Sequence, residues 1–252
     1  MAREVAALLR DPVYRGEGIR DAGGQPVVLI PGFLAGDDSL GVMTRWLRQT
    51  GHRTCSAQMR MNVSCSADAV NRLEARVEEL FEKCGERVAV IGQSRGGCFA
   101  RVLARRRPDL VSGIVTLGSP LTDQLAIHPV VKAQVYAVGA LGTLGAPGLF
   151  NYRCLRGDCC EAFDDDLTAR FPRGVGFVSI YSKHDGIVQW ESCLDPAAKH
   201  VEIGASHIGM AVNPAGYREI AAALERFRRG ERRREQRRGP RVSSVANAAR
   251  AA

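Results

Sequence analysis

The sequence lacks three features that would assign it to a special class of protein. No apolar run approaches the ~20 residues of a membrane-spanning helix, because the nearest candidate, Val135 to Phe150, has 16 residues interrupted by four glycines and Pro147. The first 21 residues carry eight charged side chains, which leaves no apolar segment typical of a signal peptide. No internal repeat is visible. We therefore expect a globular protein that is cytoplasmic or peripherally associated with a membrane.

Charge is concentrated at one end of the chain. The 252 residues are 45% apolar and 25% charged, which is typical of a folded domain, and the net charge is +8. Residues 226–252 contain ten arginines and two glutamates, which account for all of that excess. The composition predicts a neutral domain over residues 1–225 and a basic, disordered tail over 226–252. The tail could contact an anionic membrane surface, or less readily nucleic acid, although no specific nucleic acid is expected.

Eight cysteines are many for an intracellular chain and few for a disulfide scaffold. Cys154, Cys159 and Cys160 fall in one loop, and Cys193 follows. Reduced thiols are expected without an export signal, but the sequence leaves disulfides among these four open. The spacing C-x4-C-C has no histidine nearby and lacks the two close ligand pairs of a structural zinc site, so no metal site is predicted.

Short apolar segments alternate with helical patterns along the chain. Each apolar segment has the length of a strand buried on both faces. The six candidates are Val27–Ile30, Arg53–Met59, Arg87–Ile91, Ile114–Leu117, Phe177–Tyr181 and His200–Ile203. Helices are predicted from Ser66, as the N-cap, to Gly85, from just after Ser94 to Arg107, and from about Pro214 onward. The alternation predicts an α/β fold with an open, mostly parallel sheet and helices on both faces.

One segment interrupts this alternation. Leu121 to Pro172 is too long for a simple connection between two strands, and it contains an apolar helix candidate, Val130–Leu144. We expect a cap inserted over the end of the sheet. A second core helix with its loop is an equally good interpretation.

The strongest motif is Gly92-Gln93-Ser94-Arg95-Gly96-Gly97, directly after a predicted strand. This G-x-S-x-G pattern is typical of a sharp strand-to-helix turn that exposes a nucleophilic serine, with glycines relieving the crowding on either side. A phosphate-binding loop or a plain turn is the structural alternative. The context favours Ser94 as a nucleophile.

A nucleophilic serine needs a base and an acid that orients the base. In the order serine, acid, histidine that accompanies the motif, His207 lies in the loop after the last strand and Asp185 just after the strand Phe177–Tyr181. The other candidates are weaker: His52 and His128 as surface residues, His184 as an outward one, His200 at the wrong strand end, and Asp164–Asp166 and Asp195 as turn or cap residues. Backbone amides of Arg95 and of Phe33, after Pro31-Gly32, are predicted to bind the oxyanion.

These segments together resemble the bacterial lipase and esterase branch of the α/β-hydrolase superfamily. The similarity extends over about residues 25–225, and the segments around Asp185 and His207 are similar to the small Bacillus-type triacylglycerol lipases. The resemblance implies Ser94 as nucleophile, His207 as base, Asp185 as orienting acid, and Phe33 and Arg95 as oxyanion donors. This sequence differs from the lipase pattern at two positions. Such lipases usually carry histidine where this chain has Pro31, and the side chain of Arg95 could reach an acidic substrate group.

The sequence therefore predicts a serine hydrolase that cleaves small-molecule or lipid carboxylic esters through an acyl-enzyme, with no cofactor and no metal. Two alternatives remain at this stage. An acyltransferase would use the same triad with an alcohol or amine in place of water. A non-catalytic protein would act on membrane or RNA through its basic tail.

Overall fold

A computed structural model describes residues 2–238. The six strands are β1 (Pro26–Ile30), β2 (Arg53–Ser56), β3 (Val88–Gln93), β4 (Val111–Leu117), β5 (Gly176–Tyr181) and β6 (Lys199–Glu202). They form one open sheet in the order β2-β1-β3-β4-β5-β6, and every neighbouring pair is parallel. All six strands predicted from the apolar segments are confirmed, although Val111–Leu117 begins three residues earlier than expected and Arg53–Ser56 ends three earlier.

The eight α-helices of residues 2–238 are α1 (Ala2–Arg10), α2 (Gly41–Gln49), α3 (Ser66–Cys84), α4 (Arg95–Arg106), α5 (Pro129–Thr143), α6 (Tyr152–Leu155), α7 (Glu161–Thr168) and α8 (Pro214–Arg238). Helices α1 and α2 were not predicted. Helix α3 has the predicted extent, but Cys65 occupies its N-cap position and Ser66 is its first residue.

Both faces of the sheet are covered, as the sequence predicts. Because side chains alternate along a strand, Val27 and Leu29 join a core with α1, α2 and α8, whereas Val28 and Ile30 join a second core with α3, α4 and α7. Burial on both sides explains why the central strands are continuous apolar runs.

The long segment between β4 and β5 divides into two parts. Helix α5 exposes apolar side chains, among them Val130 and Leu141. Helix α7 packs against the body, where Phe163 is buried edge-on to Phe99 of α4. The segment therefore combines a cap-like helix with a core helix, the two interpretations that the sequence left open.

The basic segment differs from the prediction between residues 226 and 238. Helix α8 continues to Arg238, because Phe227 is buried beneath the strands and Glu231 pairs with the buried Arg87 at 2.5 Å. A Cβ on Gly113 of β4 would lie 2.6 Å from the Phe227 ring. The domain boundary expected at residue 225 is therefore wrong for the helix, and residues 239–252 lie outside the described residues.

Helix α8 runs from the carboxyl ends of the strands to their amino ends. Arg234 near its end donates to the carbonyl of Gly174, just before β5. The described part of the basic segment therefore lies at the amino ends of the strands, on the side of the sheet opposite to the carboxyl end of β3. No helix within residues 2–238 combines the length and apolarity of a membrane span.

Candidate active site

Ser94 lies on a strained turn between β3 and α4. Its φ of 52° is in the left-handed region, which a residue with a side chain rarely adopts. A Cβ on Gly92 would lie 2.3 Å from the carbonyl oxygen of Gly96, and one on Gly96 would lie 2.3 Å from that of Ile30. Both glycines of the motif are therefore required by backbone contact, and the predicted strand–turn–helix context is present.

His207 and Asp185 form a hydrogen-bonded pair. His207 Nδ1 lies 2.7 Å from Asp185 Oδ2, and the aspartate side chain is 1% exposed. The other oxygen, Oδ1, accepts from the amides of Ile187 at 2.8 Å and Val188 at 2.9 Å. These amides fix the carboxylate, and the carboxylate in turn orients the imidazole ring.

This pair lies near Ser94, at the carboxyl ends of the strands. The Ser94 amide donates to the carbonyl of Leu117, the last residue of β4, at 2.8 Å. A Cβ on the next residue, Gly118, would lie 2.9 Å from Asp185 Oδ2 and 3.2 Å from His207 Nδ1. The Ser94 hydroxyl makes no hydrogen bond to another described residue, so the bond from Ser94 to His207 is not formed in this structure. Bonds of this kind are often long before substrate binds.

Two backbone amides beside Ser94 are free to donate. A Cβ on Gly32 would lie 3.1 Å from Ser94 Cβ, so the loop that carries Phe33 passes directly against the serine. Neither the Phe33 amide nor the Arg95 amide donates to another residue in the described range 2–238. Phe33, Ser94 and Arg95 all line the same cavity.

A buried asparagine that the sequence analysis missed supports the Phe33 loop. Asn62 Nδ2 donates to the Pro31 carbonyl at 2.8 Å, and Asn62 Oδ1 accepts from Arg95 Nη1 at 2.9 Å. The Arg95 guanidinium is therefore bonded to the protein and is not directed at a substrate acid. No local motif marks Asn62, because its role depends on contact with two distant segments.

The cavity beside Ser94 has a volume of about 360 Å³ and a mainly apolar lining. Pockets of this size hold small-molecule ligands. The apolar lining comes largely from the cap segment: Leu121, Leu125, Ile127, Val131, Val135, Phe150, Leu155 and Leu167. A polar contact interrupts it where Gln124 donates to Asp164 at 2.9 Å, and burial raises the pKa of Asp164.

The competing acids serve other contacts. Asp195 is buried and pairs with Arg101 at 2.5 Å. Asp166 pairs with Arg106 at 2.5 Å, and Asp164 faces the cavity. None of these three carboxylates is hydrogen-bonded to a histidine side chain within the described structure.

All five histidines are described, and only His207 pairs with a carboxylate. His52 was predicted at the surface, and this is wrong: its ring is buried, Nδ1 lies 3.2 Å from the Leu47 carbonyl, and burial lowers its pKa to about 4. His128 caps α5 and His184 is exposed. His200 is in β6, and its Nε2 lies 2.7 Å from the backbone carbonyl of Asp195, before that strand.

No protein-family model and no curated protein matches the sequence. The structure is similar to the mature lipase BlEst2 of Bacillus licheniformis, with a TM-score of 0.60 and 15% identity over 81% of this chain and 94% of that one. It is also similar to a soluble variant of monoglyceride lipase from Saccharomyces cerevisiae in complex with a substrate analogue, with a TM-score of 0.61 and 14% identity over 84% and 89%. A third similar structure is the monoacylglycerol lipase of Paleococcus ferrophilus, with a TM-score of 0.54 and 18% identity over 82% and 96%. The chain therefore has the α/β-hydrolase fold.

Proposed function

We propose that this protein is a serine hydrolase that cleaves carboxylic esters with an apolar acyl group. One observation carries the proposal. A serine on a strained strand-to-helix turn lines an apolar cavity, and the hydrogen-bonded pair of His207 and Asp185 lies at the same carboxyl ends of the strands. The three similar structures named above are all lipases. Lipase activity agrees with this chemistry, and at 14–18% identity the similarity itself concerns the fold.

In the proposed reaction, Ser94 Oγ attacks the ester carbonyl while His207 Nε2 accepts its proton. Asp185 holds the opposite ring nitrogen and stabilises the imidazolium. The amides of Phe33 and Arg95 donate to the oxyanion of the tetrahedral intermediate. Return of the proton to the alkoxide releases the alcohol and leaves an acyl-enzyme on Ser94. Water, deprotonated by His207, then attacks the acyl carbon, and the imidazolium returns that proton to Ser94 Oγ as the carboxylic acid leaves.

The acyl group would occupy the cavity beneath α5, where Val131 and Val135 face the space beside Ser94. The outer surface of the same helix is also apolar: Val130 is 60% exposed and Leu144, just after the helix, is 84% exposed. Exposed apolar surface next to an apolar cavity favours a lipid ester over a small polar one.

The structure gives no support to joint membrane binding by this cap and the basic helix end. Helix α8 carries its described arginines to the opposite edge of the sheet, as Arg234 shows. Contact of the basic segment with an anionic surface stays a separate proposal.

The test compares Ser94→Ala with Ser112→Ala on p-nitrophenyl esters from acetyl to palmitoyl. Loss of the nucleophile should lower kcat by about 10⁶, and Ser94→Ala should fold normally. Ser112 is a matched control, because its buried hydroxyl has no partner in the described structure and its removal leaves nothing unpaired. A fluorophosphonate probe should label Ser94 in the wild type and in Ser112→Ala. Normal turnover by Ser94→Ala would reject the proposal.

A further inference from the structure

Four cysteine sulfurs meet where the cap segment contacts the amino end of α3. Cys65 lies at the N-cap position of that helix, Cys154 is in α6, and Cys159 and Cys160 immediately precede α7. The four Sγ atoms all lie within 4.8 Å of one another. The sequence spacing concealed this group, because its fourth member lies far from the other three along the chain. Cys193 is not part of the cluster.

The separations of these sulfurs suit a tetrahedral metal site. Zinc–sulfur bonds of about 2.3 Å in tetrahedral geometry place neighbouring sulfurs about 3.8 Å apart. Cys65 Sγ lies 3.5 Å from Cys160 Sγ and 3.9 Å from Cys159 Sγ, and the two adjacent cysteines are 3.8 Å apart. The separation of 3.2 Å between the sulfurs of Cys154 and Cys159 still exceeds a disulfide bond by more than about 1 Å.

An arginine next to the cluster supplies positive charge. Four thiolates around one divalent ion carry a net charge of −2, which a nearby cation stabilises when the site is partly buried. The Arg95 guanidinium donates to the Ser64 carbonyl at 2.8 Å and to Ser66 Oγ at 3.0 Å, on either side of Cys65. Within residues 2–238 it pairs with no carboxylate. A partly buried guanidinium without a carboxylate partner is unusual, and here its hydrogen bonds fall on either side of one cysteine of the cluster.

Backbone amides complete the surroundings of the cluster. The backbone amides of Ala67 and Asp68, in the first turn of α3, lie near Cys65 Sγ, and the Ala67 amide also lies near Cys160 Sγ. Amide donors of this kind orient thiolate ligands and stabilise their negative charge.

We propose that Cys65, Cys154, Cys159 and Cys160 bind one Zn²⁺ as a closed tetrathiolate site. Each thiol releases its proton to solvent as its zinc–sulfur bond forms. Four protein ligands leave no open position, so the ion is structural and takes no part in ester cleavage. It joins the cap segment to α3. Because Cys154 and Cys160 also line the cavity beside Ser94, the ion fixes one wall of that cavity.

The experiment measures zinc in the full-length protein expressed with zinc in the medium. Wild type should contain about one ion per chain, and Cys159→Ser and Cys65→Ser well under half of that. Cys84→Ser is the matched control, because Cys84 is the partly buried last residue of the same helix and lies outside the cluster. It should retain the ion. Chelation should lower the thermal midpoint of wild type and Cys84→Ser and make four further thiols reactive.

A second measurement needs no variant. Co²⁺ added to the chelated wild-type protein should give the visible ligand-field bands and the thiolate-to-metal charge transfer of a tetrahedral tetrathiolate complex. Failure of the wild type to bind either metal would overturn the proposal. So would a mass four hydrogens lower, with cysteine-linked peptides, because it would identify two disulfides. Ester hydrolysis by Ser94 is independent of either outcome.

Discussion

Replacing Asp185 and Asp195 in turn by asparagine separates a carboxylate that orients the base from one that holds the fold. Both are buried, both follow β5 in the chain, and each contacts one cationic or ionisable partner. The same isosteric change therefore removes one negative charge at each site. The structure predicts opposite consequences for turnover and for stability.

Asp185→Asn should leave the fold nearly intact. The amide oxygen of asparagine can still accept from the backbone amides of Ile187 and Val188, so the unfolding free energy should change by less than about 1 kcal/mol, the net value of one hydrogen bond. The amide nitrogen would face His207 Nδ1 and hold the imidazole in the wrong tautomer. Turnover should fall by about 10⁴, or about 5 kcal/mol in the activation free energy.

Asp195→Asn should do the reverse. Arg101 and Asp195 side chains are 6% and 3% exposed, and Arg101 also donates to the carbonyls of Asp166 and Ala169. Leaving that guanidinium buried without a counter-charge should cost about 3–5 kcal/mol. For a domain of this size, the thermal midpoint should fall by about 6–20 °C. Turnover per folded molecule should stay close to that of the wild type.

The assay measures kcat on the p-nitrophenyl ester that the wild type cleaves fastest, together with thermal unfolding by circular dichroism. The two variants serve as controls for each other. Full turnover by Asp185→Asn, or a loss of turnover by a fully folded Asp195→Asn, would refute the assignment of the two carboxylates.

Two further predictions concern pH and acyl-chain length. Burial lowers the pKa of His52 from 6.5 to about 4, so the folded state binds the proton more weakly than the unfolded state. Its contribution of about 3 kcal/mol is therefore present above pH 6.5 and lost as the pH falls towards 4, and His52→Gln should flatten the difference in urea midpoints between pH 7 and pH 4.5. Val135→Trp should fill the cavity beneath α5 and shift the best ester to a shorter acyl chain without lowering acetyl-ester turnover, which the p-nitrophenyl series measures.

Each of these variants has a control variant that should behave as wild type. His184→Gln changes an exposed histidine, so the pH dependence of its stability should be unaltered. Tyr136→Trp enlarges the 44% exposed side chain next to Val135 and should keep the wild-type chain-length profile. An unchanged profile in Val135→Trp would show that the acyl group lies elsewhere.

Much of the fold could be predicted because its signals are local. A strand buried on both faces is a short apolar run, and a helix covering one face carries an apolar stripe. The four central strands β1, β3, β4 and β5 and the helices α3, α4 and α8 follow from such patterns, whereas the edge strands β2 and β6 are more polar and partly exposed. Helices α1 and α2 were not predicted because nine residues form only about two and a half turns, too few for the apolar spacing to repeat along the chain.

The candidate site was predictable for a related reason. Ser94 lies in a motif whose glycines are needed by the turn itself, and His207 and Asp185 follow strands whose ends meet at one edge of a parallel sheet. Chain order and strand ends thus suffice to propose the pair, and the structure brings its two members to 2.7 Å. The bracing role of Asn62 could not be predicted, because it depends on contacts with Pro31 and Arg95.

The sequence by itself therefore determined the order of strands and helices, the turn at Ser94 and the candidate acids and bases, since each depends on residues close together in the chain. Only the tertiary structure decided which distant side chains meet. It placed Cys65 beside the three cysteines of the cap segment and buried His52. It also placed the basic end of α8 at the amino ends of the strands, away from Ser94. The physical reason is that packing and charge pairing act between surfaces, and a surface is assembled from segments whose proximity no local pattern records.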